Sequence, residues 1–208
     1  MNYICVYDIK ELPLYPKLYN MKKFELEIEQ DTDPMNPRTE WDNIGTMVCF
    51  HNRYNLGDKT DYKSDNFDSW IELKEQIESD HKVFMIKPLY LYDHSGITIS
   101  TSSFSCRFDS GQIGWIFIDE KKLQSITGDS SGHTDTNLEE IIDSEVETYD
   151  QYLTGEVYSY TIYEIETCDK GHEHKVLLES CGGFYGEEEC KNEGMNILSV
   201  YEREKEVV

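Results

Sequence analysis

From residue 22 to 29 the chain alternates: Phe24, Leu26 and Ile28 fall on one side, Glu25, Glu27 and Glu29 on the other. A period of two marks a half-buried strand. Residues 31–45, with Pro34, Asn36, Pro37 and Asn43, have the turn chemistry of a loop. Residues 46–51 (TMVCFH) predict a short buried strand, and 52–65 a polar loop. Residues 68–80 carry Trp70, Ile71, Leu73 and Ile77 among acids, a helix that Asp68 is placed to cap. Residues 83–93 form a strand interrupted by Pro88, which belongs at an edge or a bend. The turn Asp93-His94-Ser95-Gly96 joins it to a strand at 97–101, giving a hairpin. Residues 102–111 are irregular, 114–118 a buried strand, 120–126 a short helix and 128–134 a loop. The strongest helix runs over 137–153, with Leu138, Ile141, Ile142, Val146, Tyr149 and Leu153 on one face. Gly155 is suited to end it in the left-handed conformation. Strands at 157–167 and 175–181 make a second hairpin through the polar turn 168–174. Gly182-Gly183-Phe184-Tyr185-Gly186 breaks the pattern, and 187–206 ends in a helix. Two hairpins, mixed helices and no βαβ register predict an α+β fold: an antiparallel sheet built from hairpins with two to four helices packed on it. One domain over 1–208 is expected, with 128–136 as the place for any subdivision.

Charge changes this picture from one of fold alone. The chain has 42 acidic and 19 basic residues, a net charge of −23. Such a surface repels phosphate backbones and anionic membranes, which argues against direct nucleic-acid binding and favours a basic protein partner. The acid is concentrated late: 135–206 holds 20 acidic and 5 basic residues. No run of about 18 apolar residues predicts a membrane span. The first residues, MNYICVYD, lack the basic start and apolar stretch of a signal peptide. The six cysteines are spread too widely for a disulfide miniprotein. Reduced thiols and a cytoplasmic location in a bacterial cell are the expectation.

Four groups of residues carry chemistry. On the 137–153 helix, Glu139, Asp143, Glu147 and Asp150 lie opposite the apolar stripe, with Glu140 beside them. Steps of three and four residues space these carboxylates about 5–6 Å apart, approaching the phosphate spacing of a nucleic-acid strand. Cys168, His172, His174 and Cys181 offer thiolate and imidazole ligands for zinc at a spacing that matches no standard finger; no cofactor is otherwise implied. The stretch 92–114 holds His94, Ser95, Cys106, Arg107 and Asp109, the raw material of a hydrolytic or binding site without a nucleophile elbow. His51, Arg53 and Tyr54 end a strand and, if near Asp93 and His94, would build a small anion or nucleotide pocket. His94, Asp109 and His51 are the catalytic candidates; Arg53, Tyr54, Ser95 and Arg107 are the ligand-binding ones.

The blocks DPMNPRTEWDNIGTMVCFHNRYNLGD (33–58), YDHSGITIST (92–101), DSGQIGWIFI (109–118), SEVETYDQYLTGEVYSYTIYE (144–164) and GGFYG (182–186) together resemble a family of accessory proteins common in phages, prophages and plasmids. The likeness spans residues 33–186 and carries no catalytic residues over. It implies a gene of mobile DNA acting inside a bacterium. Joined to the acidic helix, it leads to one expectation: an inhibitor of a defence system that occupies the basic groove of a CRISPR effector or restriction nuclease, and is not an enzyme. The alternatives are a small-molecule or nucleotide-signal binder or hydrolase using His51, Arg53, His94 and Asp109, and a phage structural or scaffolding protein.

Overall fold

From Ile113 to Ile118 the chain (IGWIFI) has no polar side chain, because both faces of that stretch of strand are covered. The computed structural model describes residues 23–128 and 137–204. In it the strand Ser110–Asp119 lies inside a four-stranded antiparallel sheet. In chain order the strands are β1 (Lys23–Gln30), β2 (Thr46–Cys49), β3 (Val83–Asp93), β4 (Ile97–Ser100), β5 (Ser110–Asp119), β6 (Val157–Thr167) and β7 (Glu173–Tyr185). The helices are α1 (Pro37–Glu40), α2 (Trp70–Asp80), α3 (Glu120–Thr127), α4 (Leu138–Thr154) and α5 (Glu187–Glu204). The larger sheet has the order β2-β5-β3-β4, and a second sheet of three strands has the order β1-β6-β7. All pairings are antiparallel. The expected α+β fold with hairpins and packed helices is present; the strands divide between two sheets rather than one.

The four-stranded sheet is a filling between helices. Ile142, Val146 and Tyr149 of α4 pack on Leu89, Leu91, Ile99, Ile116 and Ile118 on one face. Leu73 and Ile77 of α2 pack on Val48 and Phe117 on the other. Each such side chain contributes about 1.5–3 kcal/mol on burial. In the smaller sheet, Leu26, Ile28, Tyr160 and Ile162 pack against Cys190, Ile197 and Leu198 of α5. The glutamates of β1 face the other way, as their alternation requires, and Lys175 pairs with Glu25 at 2.8 Å and with Glu27. Tyr185 of β7 anchors the connection from β1 to β2: its hydroxyl donates to Met35 O and its ring meets Trp41 edge-on at 4.8 Å.

Four local expectations need correction. Helix α2 is capped by Ser69, which accepts from Glu72 N at 3.2 Å, while Glu72 accepts from Asp68 N at 2.7 Å. Asp68 therefore gives its backbone, not its carboxylate. GGFYG does not break the pattern: β7 runs through it to Tyr185. A bulge lies between the Tyr158 and Tyr160 pairings, and Gly183 absorbs it at φ +81°. Strand β2 stops at Cys49, so Phe50 and His51 belong to the following loop. Strand β5 starts at Ser110 rather than Gly114. Pro88 sits where expected: β4 pairs only with Tyr90–Asp93, so Pro88 lies on a stretch of β3 that is an edge. The subdivision and the loop placed around 128–136 fall almost wholly outside the described residues.

Candidate functional site

Because β5 runs antiparallel to both β2 and β3, its first residues lie beside the last residues of both. Gly114 pairs with Cys49, and Ser110 with Tyr92. The loop after β2, the turn after β3 and the approach to β5 therefore meet at one end of the sheet. That brings His51, Arg53 and Tyr54 to Asp93, His94 and Asp109. The Arg53 guanidinium pairs with Asp93 and stands 5.4 Å over the Tyr54 ring. Tyr54 donates its hydroxyl to Asp93 at 3.4 Å. His94 Nδ1 lies 3.4 Å from Asp109 Oδ2, and the Cys106 thiol points to the same oxygen at 3.6 Å.

Two hollows open on either side of the 50–54 segment. One, about 400 Å³, is lined by His51, Arg53, Asp93, Phe108, Asp109 and Gln112. The other, about 670 Å³, is lined by His51, Asn52, Asn55, Phe67, Asp68 and Trp70. Phe50, His51 and Asn52 line both, so the pair forms a two-lobed cleft. The larger lobe has an aromatic wall: the Phe50 ring is stacked with Phe67 at 6.3 Å and with Trp70 at 6.0 Å. Phe108, 98% exposed, stands at the mouth of the smaller lobe. His51 Nδ1 accepts from Arg53 N and Tyr54 N at 3.2 and 3.3 Å. In the neutral ring this places the proton on Nε2 and makes it a donor at the cleft.

The carboxylate of Asp109 contacts both Cys106 and His94, and among the described residues no hydrogen bond joins the thiol to the imidazole. Arg53 is already paired, and Asp68, Asp93 and Asp109 outnumber it in the lining. A phosphate would meet more repulsion than attraction there. Ser95 holds the β3–β4 turn at φ +61° and lines neither lobe, and Arg107 lines a further hollow of about 350 Å³ that meets the smaller lobe at Ser110 and Gly111.

The other two groups are not assembled as expected. The acidic row on α4 is not a free solvent-facing line. Lys87 binds Glu139 at 2.9 Å and Asp143 at 2.8 Å, and Thr101 also donates to Asp143. Asp150 accepts from Ile99 N at 2.7 Å, and burial pushes its carboxyl up to about 6. The reason is packing: α4 lies across β3 and β4, which cover one flank of the row. Glu140 and Glu147 remain exposed. Of the zinc candidates, Cys168 and His172 are in the β6–β7 turn and His174 at the start of β7, while Cys181 pairs with Tyr160 well along that strand. Seven residues of strand separate His174 from Cys181, about 23 Å. Among the described residues no group of three or more His, Cys, Asp or Glu is placed to hold a metal ion.

Two features were not read from the sequence. One is the aromatic wall of Phe67 and Trp70, hidden because Trp70 also counts as part of the amphipathic helix. The other is a pair 38 residues apart: His81 Nδ1 lies 2.6 Å from Asp119 Oδ2. Each follows or precedes a helix, and no local signal joins them. Comparison with protein-family models, with curated proteins and with solved structures finds no match.

Proposed function

We propose that the protein binds a small, flat, uncharged ring-bearing ligand, of the nucleoside type, in the two-lobed cleft around Phe50–Tyr54. The observation that carries this reading is the convergence of His51, Arg53, Asp93 and Asp109, from three separate segments, beside a wall of three aromatic rings. A ring would lie on the Phe50, Phe67 and Trp70 surface, where stacking is sequence-tolerant and strong. Polar substituents would reach the His51 Nε2–H donor and the Asp109 carboxylate in the smaller lobe. Each lobe falls in the range of about 300–1,000 Å³ usual for ligand sites, and the lining sets aromatic rings beside polar groups. The paired state of Arg53 argues for a neutral ligand over a phosphorylated one.

The experiment is a titration of the full chain with the common nucleosides and their 5′-monophosphates, followed by tryptophan fluorescence and by backbone NMR shifts. Trp70 forms part of the wall, so stacking quenches it. At least one nucleoside should bind saturably and more tightly than its monophosphate. Phe67→Ala and His51→Ala should each weaken binding by about tenfold or more. No saturable binding in the millimolar range, or binding indifferent to both variants, refutes the proposal.

A further inference from the structure

A third hollow, of about 690 Å³, lies on the α2 side of the sheet and is lined by Thr46, Asp61, Tyr62, Phe67, Asp80 and His81, with Phe117 at its base. Its chemistry differs from that of the cleft. Asp119 is buried at 7% exposure and caps α3, its Oδ1 accepting from Lys122 N at 2.7 Å. That cap holds the carboxylate still and presents Oδ2 to His81 Nδ1 at 2.6 Å. A carboxylate only accepts, so Nδ1 carries a proton. In the neutral ring Nε2 is then a bare acceptor, and among the described residues no hydrogen bond engages it.

The rest of the lining also accepts. Asp80 is oriented by Tyr62, which donates to Oδ2 at 3.0 Å, and by Gln76, which donates to Oδ1 at 2.9 Å. Each oxygen keeps a second lone pair. Asp61 is exposed and makes no hydrogen bond among the described residues. Among the described residues no lysine or arginine lines the hollow. Aromatic rings complete it: Tyr62 and Phe67 are tilted by 52° at 6.2 Å, and His81 lies 5.0 Å from Phe117. Carboxylates, a bare imidazole nitrogen and ring faces suit a cation that also donates hydrogen bonds.

We propose that this hollow is a second ligand site, which shares the Phe67 ring with the cleft but none of its polar groups, and which takes a protonated primary amine or polyamine. The ammonium sits between Asp61 and Asp80 against the Tyr62 and Phe67 rings and donates to His81 Nε2. Asp119 is a positioning residue: it sets which imidazole nitrogen faces the ligand. The net charge of −23 raises the local concentration of any cation, and the hollow converts that general attraction into a defined site.

The test titrates the full chain with spermidine, with choline and with magnesium ion, by calorimetry and backbone NMR at pH 8. Spermidine should bind at one saturable site, with shifts centred on Tyr62, Phe67 and His81. The His81 Nε2 resonance should move from that of an unprotonated acceptor. Asp61→Asn and Asp80→Asn should weaken spermidine binding by about tenfold each, whereas Glu147→Gln, which removes one exposed charge on α4, should change it little. Arg53→Ala should leave it unchanged, which separates this site from the cleft. Shifts spread over the surface and matched by magnesium, or equal losses from Asp61→Asn and Glu147→Gln, would reduce the effect to polyanion attraction and overturn the proposal. Choline binding as well as spermidine would overturn the role given to His81.

Discussion

Replacing Arg38 by methionine keeps a long apolar stem and removes the guanidinium. In the folded protein that group is the hinge of a buried network. Its side chain is 1% exposed. Nε and Nη2 grip Asp58 at 3.0 and 2.6 Å, Nη1 reaches Glu145 at 3.0 Å, and Nη2 also donates to Gly45 O at 2.7 Å. Asp58 accepts as well from Met47 N, and Glu145 from Ile44 N and Gly45 N. One arginine thus joins α1, the loop after β2 and α4. Burial by itself would lower its pKa; the bonds to Asp58 and Glu145 outweigh that and hold it above its ordinary value. Removing the cation leaves two carboxylates, 20% and 14% exposed, without a counter-ion. Breaking a buried pair in this way costs about 3–5 kcal/mol. The backbone N–H bonds to both carboxylates place the expected value near the lower end. At about 2–4 °C per kcal/mol for a chain of this size, Tm should fall by about 6–12 °C. The assay is urea unfolding followed by tryptophan fluorescence, repeated at high salt. The loss should persist there, because buried pairs are weakly screened. Arg38→Lys should recover only part of it, since an ammonium cannot make the two-pronged contact with Asp58. A loss below about 1 kcal/mol for Arg38→Met would refute the view that this network holds α4 in place.

Asp150 gives a pH dependence. Its folded pKa of about 6 is raised by burial above the unfolded value, so the folded state binds its proton more tightly. Stability from this group therefore falls as pH rises from about 4 to about 6. Asp150→Asn keeps an acceptor for Ile99 N, and should gain about 1 kcal/mol over wild type above pH 6 and nothing at pH 4, a figure discounted for partial exposure; a constant difference across that range refutes the assignment. Ser69→Ala should cost about 1 kcal/mol in chemical unfolding, and Asp68→Ala much less; the reverse order would restore Asp68 as the cap. Gly114→Ala places a Cβ 1.9 Å from Val48 O, against the backbone of the neighbouring strand β2. It should abolish folding or cost more than about 3 kcal/mol by thermal unfolding, and a near-neutral result would mean that β2 and β5 are further apart than described.

What could be read along the chain was what depends on near neighbours. The α4 stripe, the Gly155 stop (φ +77°), the two hairpins and the orientation of the β1 glutamates all follow from periods of 3.6 and 2 and from turn chemistry, which are local properties. Net charge is likewise a sum that needs no fold. The grouping of His51, Arg53, Asp93, His94 and Asp109 was half legible: the residue types stood out, but their meeting depends on β5 lying between β2 and β3. Tertiary structure alone decided the rest. It divided the strands into two sheets and joined Arg38 to Glu145 across 107 residues and His81 to Asp119 across 38. It also set the fate of the α4 acids, because a carboxylate's chemistry depends on what covers it. The same Asp–Glu pattern is a solvated row on an isolated helix. Against β3 and β4 it becomes an ion pair with Lys87 and a half-buried acceptor at Ile99. Which one forms is determined by where the apolar faces of the helix and sheet find enough surface to bury.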